Sequence, residues 1–360
     1  MGTRPTIVIV TRATRLAGLR ARWGTIRQAK FVLAKAHEHE QLLRSESSAA
    51  RSKRLKRQPW ITQADKSGKA KAATSQNDAA VMSDEPAPEV QITDYLAEEN
   101  AQDMTLERLR AELDFGLPIK LLDRSYLPNY DFWNTAVVVV VGQDGLVANT
   151  AKYVGDLPIV GINPDPGRID GILVPFQPHE ARVLVKRVLD GRERRCLVTL
   201  AEVKLNDGQR MLAFNDLFIG PASHISARYV LEVDGQREAQ SSSGVLVSTG
   251  AGSTGWLSSI VNMSAGISRQ LGVQAEGNIR MPWDERRLFW TVREPFASKH
   301  SQATLLAGFL NEGHQLIAES LMPEAGIIFS DGIEADFLPF TSGTIARIGV
   351  AEQTANLVIG

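Results

Sequence analysis

Ala136-Val-Val-Val-Val-Val141 leaves this chain fewer choices of fold than any other stretch. A half-exposed strand alternates apolar and polar residues. An unbroken run of β-branched side chains instead suits a strand covered on both faces, as in a parallel sheet. The run ends in Gly142-Gln143-Asp144-Gly145, and Leu146–Val154 is compatible with a helix. Asp144-Gly145 could serve as a hairpin turn, but no second alternating strand follows it. A buried strand, a Gly-rich turn and a helix together form the place where open α/β sheets hold ligands, which makes Asp144 the first candidate for chemistry. Thr6–Val10 and Pro158–Asn163 read as further buried strands. The second leads into Gly161-Ile-Asn-Pro-Asp-Pro166-Gly-Arg168, where the prolines fix a loop at the same sheet edge.

From Arg194 onward the pattern changes to short strands separated by turn signals at Asn206-Asp-Gly208, Asp234-Gly235, Glu312-Gly313 and Asp331-Gly332. Within this part stands Gln240–Ser259, QSSSGVLVSTGAGSTGWLSS. A strand over Gly244–Ser248 runs into a turn of glycines and hydroxyls and then into a helix. Such a turn lets a ligand approach the backbone, with adaptable donors beside it. Gly250 to Gly255 also fits G-x-G-x-x-G, but that fingerprint has meaning only inside a βαβ unit with an acidic residue about 20 positions on. Residues 272–286 give no second parallel strand, and no strand ends at Glu276, so hydride chemistry is the weaker reading. A Gly/Ser hairpin loop without a ligand is the bland alternative.

The chain as a whole reads as two domains. An α/β nucleotide-binding domain covers 1–175, and a β-rich dinucleotide-binding domain covers 176–360, with final strands (343–350 and 356–359) that can return to the first. Helices are expected over Arg15–Arg44, Asp94–Leu113 and Pro178–Asp190, the last closing the α/β part. Residues 45–89 are rich in Ser, Ala, Lys, Gln and Asp and nearly lack aliphatics, so they read as a solvated, mobile insertion. Its basic cluster around Arg51 and Arg57 could touch nucleic acid, but a solvated charge run is the simpler reading. A net charge of −1 supplies no field for nucleic acid in general. One cysteine, Cys196, excludes an internal disulfide framework and suits a reducing compartment, and packing in its strand is its expected role. Six scattered histidines, His37-x-His39 among them, suggest no metal site. No apolar run approaches the roughly 18 residues of a membrane span, so a cytoplasmic protein without a membrane partner is expected. The arginine-rich, acid-free start resembles a transit peptide, and Met1-Gly2-x-x-x-Thr6 formally fits a myristoylation signal. The strand at Thr6–Val10 argues that the terminus belongs to the fold.

Taken together, the motifs resemble the NAD kinase family, particularly its mitochondrial-type branch and bacterial relatives. Gly142-Gln143-Asp144-Gly145-Leu146 stands where the family has G-G-D-G-T. Asn215-Asp216 stands where it has Asn-Glu. Ser243-Gly244 and Thr249-Gly250-Ala251-Gly252-Ser253-Thr254-Gly255-Trp256 follow its D-G…T-P-x-G-S-T-A-Y. Pro158–Pro166, Ser226-Ala-Arg228-Tyr229, Val292-Arg293-Glu294-Pro295 and Asp331-Gly332 also match in order, over about residues 6–44 and 115–350. The resemblance implies an α/β domain followed by a β-rich one, with the active site in the cleft between them. The implied reaction is transfer of the γ-phosphoryl of ATP or another donor to the adenosine 2′-hydroxyl of NAD. Asp144 would orient that hydroxyl and accept its proton, and Gly142 and Gly145 would admit phosphates and ribose. Asn215 and Asp216 would hold ribose hydroxyls. Thr249, Gly252, Ser253, Thr254 and Trp256 would shape the dinucleotide pocket. Mg2+ held mainly by substrate phosphates and a homo-oligomer of at least two copies are also implied. Gln143, Leu146 and Asp216 depart from the family's Gly, Thr and Glu. A kinase of the same superfamily acting on another hydroxyl and a non-catalytic NAD(P)-binding regulator are the alternatives.

Overall fold

The computed structural model describes residues 4–32, 34–35, 88–274 and 277–360. The expected insertion up to residue 87, the His37-x-His39 pair, the Met1-Gly2 signal and Glu276 lie outside them.

The chain divides into two compact units, one of residues 13–103 and the other of residues 1–12 with 104–360. The smaller unit holds helix α1 (Arg15–Trp23), capped where the Thr14 hydroxyl accepts the Ala17 N–H at 3.1 Å. The continuous helix expected over Arg15–Arg44 does not form. Gly24 takes φ 75° and closes α1 by donating its N–H to Arg20, and helical residues resume only after residue 25. Helix α2 (Pro88–Glu112) runs from this unit into the larger one. Within the smaller unit Arg15 pairs with Glu98 at 2.5 Å and Arg20 with Glu99 at 2.7 Å.

The larger unit is built on two sheets. One is mixed and has ten strands. Its parallel part is β1 (Thr6–Thr11), β2 (Ile119–Asp123), β3 (Thr135–Val141) and β4 (Pro158–Ile162) in the order β2-β1-β3-β4. The valine run of β3 is central, and its side chains divide between the two faces as its composition demands. Val137, Val139 and Val141 pack with Ile7, Ile9 and helix α4 (Ala181–Leu189). Val138 and Val140 pack with Leu146 and Val147 on helix α3 (Asp144–Ala151).

The remaining strands are β5 (Arg194–Leu205), β6 (Arg210–Ala213), β7 (Asp216–Pro221), β8 (Ala227–Val233), β9 (Gln236–Ser242), β10 (Gly244–Ser248), β11 (Arg287–Arg293), β12 (Ala307–Asn311), β13 (Leu316–Ser320), β14 (Gly326–Ser330), β15 (Leu338–Pro339) and β16 (Ile345–Ile359). Helix α5 (Trp256–Gln270) follows the Gly-rich turn. β16 pairs parallel with β4 and antiparallel with β5 and β13, so it carries the mixed sheet on to β8 and β9. The second sheet is antiparallel, in the order β12-β11-β10-β7-β14-β15. Inward residues of both sheets (Tyr229, Leu231, Ala318 and Ile348 facing Ile219, Val247 and Trp290) close one apolar core. The outer face of the second sheet is covered near Leu246 and Phe289 by Leu257 of α5 and by Met281. The fold is thus a mixed α/β sheet joined to an antiparallel β-sheet. Cys196 sits half-buried in β5 against the α/β core.

Candidate functional site

Strand β3 stops at Gly142, whose φ of 156° falls in the region that favours glycine. A Cβ there would come within 3.1 Å of the Leu146 side chain. Asp144 then opens α3. Its carboxylate accepts the Leu173 N–H at 2.9 Å and the Ile172 N–H at 3.1 Å, so the loop beyond β4 is tied to the head of the helix. Each oxygen keeps a second lone pair for a further donor. Gln143 and Gly145 are exposed, and a Cβ on Gly145 would meet nothing within 4 Å. Leu146 is buried in the α/β core.

The Gly-rich turn is held from within. Thr249 is fully buried; its hydroxyl donates to the Phe214 carbonyl at 2.6 Å and accepts the Gly252 N–H at 3.2 Å. The Ser253 hydroxyl donates to the Gly250 carbonyl at 2.7 Å. The two glycines are required by close approach: a Cβ on Gly252 would lie 2.3 Å from the Asn215 carbonyl oxygen, and one on Gly250 would lie 2.0 Å from that of Pro282. Thr254 and Gly255 are exposed at the start of α5.

Asn215 and Asp216 enter β7 directly beside this turn. The Thr249 N–H donates to the Asn215 carbonyl at 2.9 Å, and Asp216 pairs across the sheet with Ser248. Asp216 Oδ1 is buried without a hydrogen-bond partner among the described residues. Burial is the main reason its carboxyl is pushed up to about 7; the nearby Asp331 adds to the shift and Ser248 offsets part of it.

Asp331 holds the same turn from the other side. Its Oδ1 accepts the Asn215 N–H at 2.6 Å and the Asp216 N–H at 3.3 Å, and its Oδ2 accepts the Phe214 N–H at 3.2 Å. Its own N–H donates to the Asp216 carbonyl at 2.9 Å, and its backbone takes the left-handed φ of 55°, uncommon outside glycine. Lys152, just past α3, reaches Asp331 Oδ2 at 3.5 Å and donates to the Ser330 hydroxyl at 2.8 Å. The two side chains are 4% and 3% exposed, so this is a buried ion pair. Burial raises the Asp331 carboxyl above the usual range and lowers the Lys152 ammonium; each partner opposes the shift of the other.

Two residues along β7 from Asp216, Phe218 stacks on Trp256, with centroids 5.5 Å apart and planes 17° apart, and packs on Phe329 at 5.0 Å. The Arg293 guanidinium lies 5.1 Å from the Trp256 ring. These residues, with Ser243, His224 and Glu294, line a cavity of about 610 Å3, within the usual size of a small-molecule site.

The structure therefore brings Asn215, Asp216, Thr249 and Gly252 into one hydrogen-bonded assembly, with Trp256 at an adjacent cavity. Asp144 makes no hydrogen bond to any of them among the described residues. Its helix reaches the assembly through Lys152 instead. The hydroxyls of Thr249 and Ser253, expected among the residues that shape the dinucleotide pocket, donate to backbone carbonyls, of Phe214 and Gly250. Reading the sequence missed Lys152 and took Asp331-Gly332 as a turn and a motif match, without a role for its carboxylate; Lys152 and its hydrogen-bond partner Ser330 lie 178 positions apart, which leaves no local signal. No group of three or more His, Cys, Asp and Glu among the described residues could hold a metal ion, and no described helix is long and apolar enough to cross a membrane. The chain matches no protein-family model and no curated protein. Among solved structures it is similar to yeast NADH kinase complexed with NADH, at 19% identity and a TM-score of 0.49, over 69% of this chain and 67% of that one.

Proposed function

We propose that this chain is a NAD kinase, transferring the γ-phosphoryl of ATP or another phosphoryl donor to the 2′-hydroxyl of the adenosine ribose of NAD. The observation that carries the reading is the assembly of Asn215-Asp216 on the Gly-rich turn. It sets a carboxamide and a carboxylate, both able to accept hydrogen bonds from a ribose diol, against a turn whose close backbone contacts leave no room for a side chain at Gly250 and Gly252. Trp256 supplies an aromatic face at the neighbouring cavity, and the exposed Thr254 and Gly255 lie beside it. Gly142 and Gly145 keep the approach to Asp144 open to phosphates and ribose.

In the reaction, the bond from the γ-phosphorus to its bridging oxygen breaks and a bond to the ribose oxygen forms. The hydroxyl proton passes to Asp144. Such a transition state is loose, so alignment and charge neutralisation carry most of the rate. An aspartate is a weak base for a hydroxyl, so Asp144 aligns it first and takes the proton late. Mg2+ would arrive on the donor phosphates and supply the neutralising charge. The protein would act as a homo-oligomer of at least two copies.

A second reading, a non-catalytic dinucleotide binder, is favoured by one observation: both Asp144 oxygens already accept backbone N–H groups. One experiment separates the two. The protein is incubated with Mg2+, a panel of triphosphates and polyphosphate, and either NAD or NADH, and phosphorylated dinucleotide is detected with a coupled dehydrogenase. Turnover that collapses by about a hundredfold or more in Asp144→Asn, with NAD binding retained, is expected. NAD binding without product from any donor would leave the second reading standing.

A further inference from the structure

Lys152 and Asp331 have no place in the reaction as stated, yet they lie where its parts meet. Lys152 ends the helix that Asp144 begins. Asp331 accepts three consecutive backbone N–H groups from Phe214, Asn215 and Asp216. Beyond that turn, the Phe214 and Asn215 carbonyls accept the hydroxyl and N–H of Thr249, and the Thr249 hydroxyl accepts the Gly252 N–H. A continuous polar path, an ion pair followed by hydrogen bonds, thus runs from the catalytic helix to the Gly-rich turn, and the Lys152–Asp331 pair is its first link. A buried ion pair is a poor way to gain stability, because taking two charges out of water costs about as much as their attraction returns. Ion pairs of this kind are better suited to fixing geometry, and Asp331 accepts a left-handed backbone to do so.

We propose that Lys152 and Asp331 form a positioning pair that fixes the Phe214-Asn215-Asp216 turn in register with the helix headed by Asp144. Neither touches substrate; both act through Asn215 and Asp216. The kinetic consequence rests on the reading of the site as a NAD kinase, whereas the structural link stands apart from it.

The test uses the full chain with Lys152→Met, Asp331→Asn and the double variant. Lys152→Met alone leaves a buried carboxylate unpaired, and its folding is at risk. The double variant replaces both charges by neutral groups of similar volume and is expected to fold. Amide hydrogen exchange read by peptide mass spectrometry should quicken over Phe214–Asp216 in the folded variants, while the other strands of the second sheet keep their protection. In transfer assays the double variant should lose about 10- to 100-fold in kcat with the donor KM within about threefold, the signature of misplacement rather than lost binding. A folded double variant with unchanged exchange at the turn overturns the proposal, and so does one with altered exchange but wild-type kcat. If the wild-type chain makes no phosphorylated dinucleotide, the proposed reaction fails. The exchange experiment then decides the pair alone: faster exchange at the turn upholds it, and unchanged exchange removes it.

Discussion

Replacing Asp216 with Asn should change how the stability of this protein depends on pH, and by an amount that follows from its burial. The carboxyl has its usual value near 3.8 in the unfolded chain and is pushed up to about 7 in the fold, chiefly by burial. Between those two values the folded state holds a proton that the unfolded state has released. Raising the pH through this window therefore destabilises the fold, and the cost is complete only above about 7. At pH 5 the native carboxyl is protonated and most of the cost is relieved; at pH 8 it is ionised with its own Oδ1 buried and without a hydrogen-bond partner among the described residues. Integrating over pH 5 to 8 gives a loss of about 3 kcal/mol from this one group. The carboxamide of the Asp216→Asn variant does not titrate and avoids the loss, while carboxylates remote from Asp216 contribute alike to both proteins. Chemical denaturation of wild type and Asp216→Asn at several pH values reads the difference directly. The wild type should fall behind the variant by a few kcal/mol on going from pH 5 to 8. Parallel curves, or a wild type that gains on the variant as pH rises, would refute the assignment of the shift to burial.

The turn beside Asp216 offers three further tests. Gly252→Ala forces a methyl group onto the Asn215 carbonyl, at 2.3 Å, and should cost about 1 to 3 kcal/mol or more in chemical denaturation while loosening NAD binding in calorimetry. Thr249→Val keeps the volume but strands the buried Phe214 carbonyl and the Gly252 N–H, for about 1 to 3 kcal/mol by the same measurement. Trp256→Ala removes the ring that stacks on Phe218 and should weaken NAD binding about tenfold or more, whereas Trp256→Phe should recover most of it; equal affinities in both variants would remove Trp256 from the pocket.

The sequence disclosed what neighbours along the chain determine. Five valines announced a strand covered on both faces. The Gly-rich turn was flanked by the strand Gly244–Ser248 and a helix, as its pattern required. Gly24 gave the opposite lesson: apolar spacing suggested one long helix, but a glycine in a left-handed conformation ended it early. The Thr249 and Ser253 hydroxyls illustrate a deeper limit. Their chemistry equally suits a ligand or a backbone carbonyl, and only the folded chain shows that carbonyls take them. Asp331 is the extreme case, because an Asp-Gly pair after a strand signals a turn whether or not its carboxylate anchors a distant segment.

Strand β16 imposes an order of events on a growing chain. Its residues Asn356 and Leu357 lie beside Pro158 and Ile159, and its earlier residues lie beside β13. Until residues 345–359 emerge, β4 and β13 each present an open edge in what will become the interior of the sheet. The parallel strands can gather around the valine run during synthesis, but the two parts of the mixed sheet cannot be sutured without that last strand. Nascent or truncated chains ending before residue 345 should therefore be clients for chaperones, prone to pair through β4 and β13 with one another.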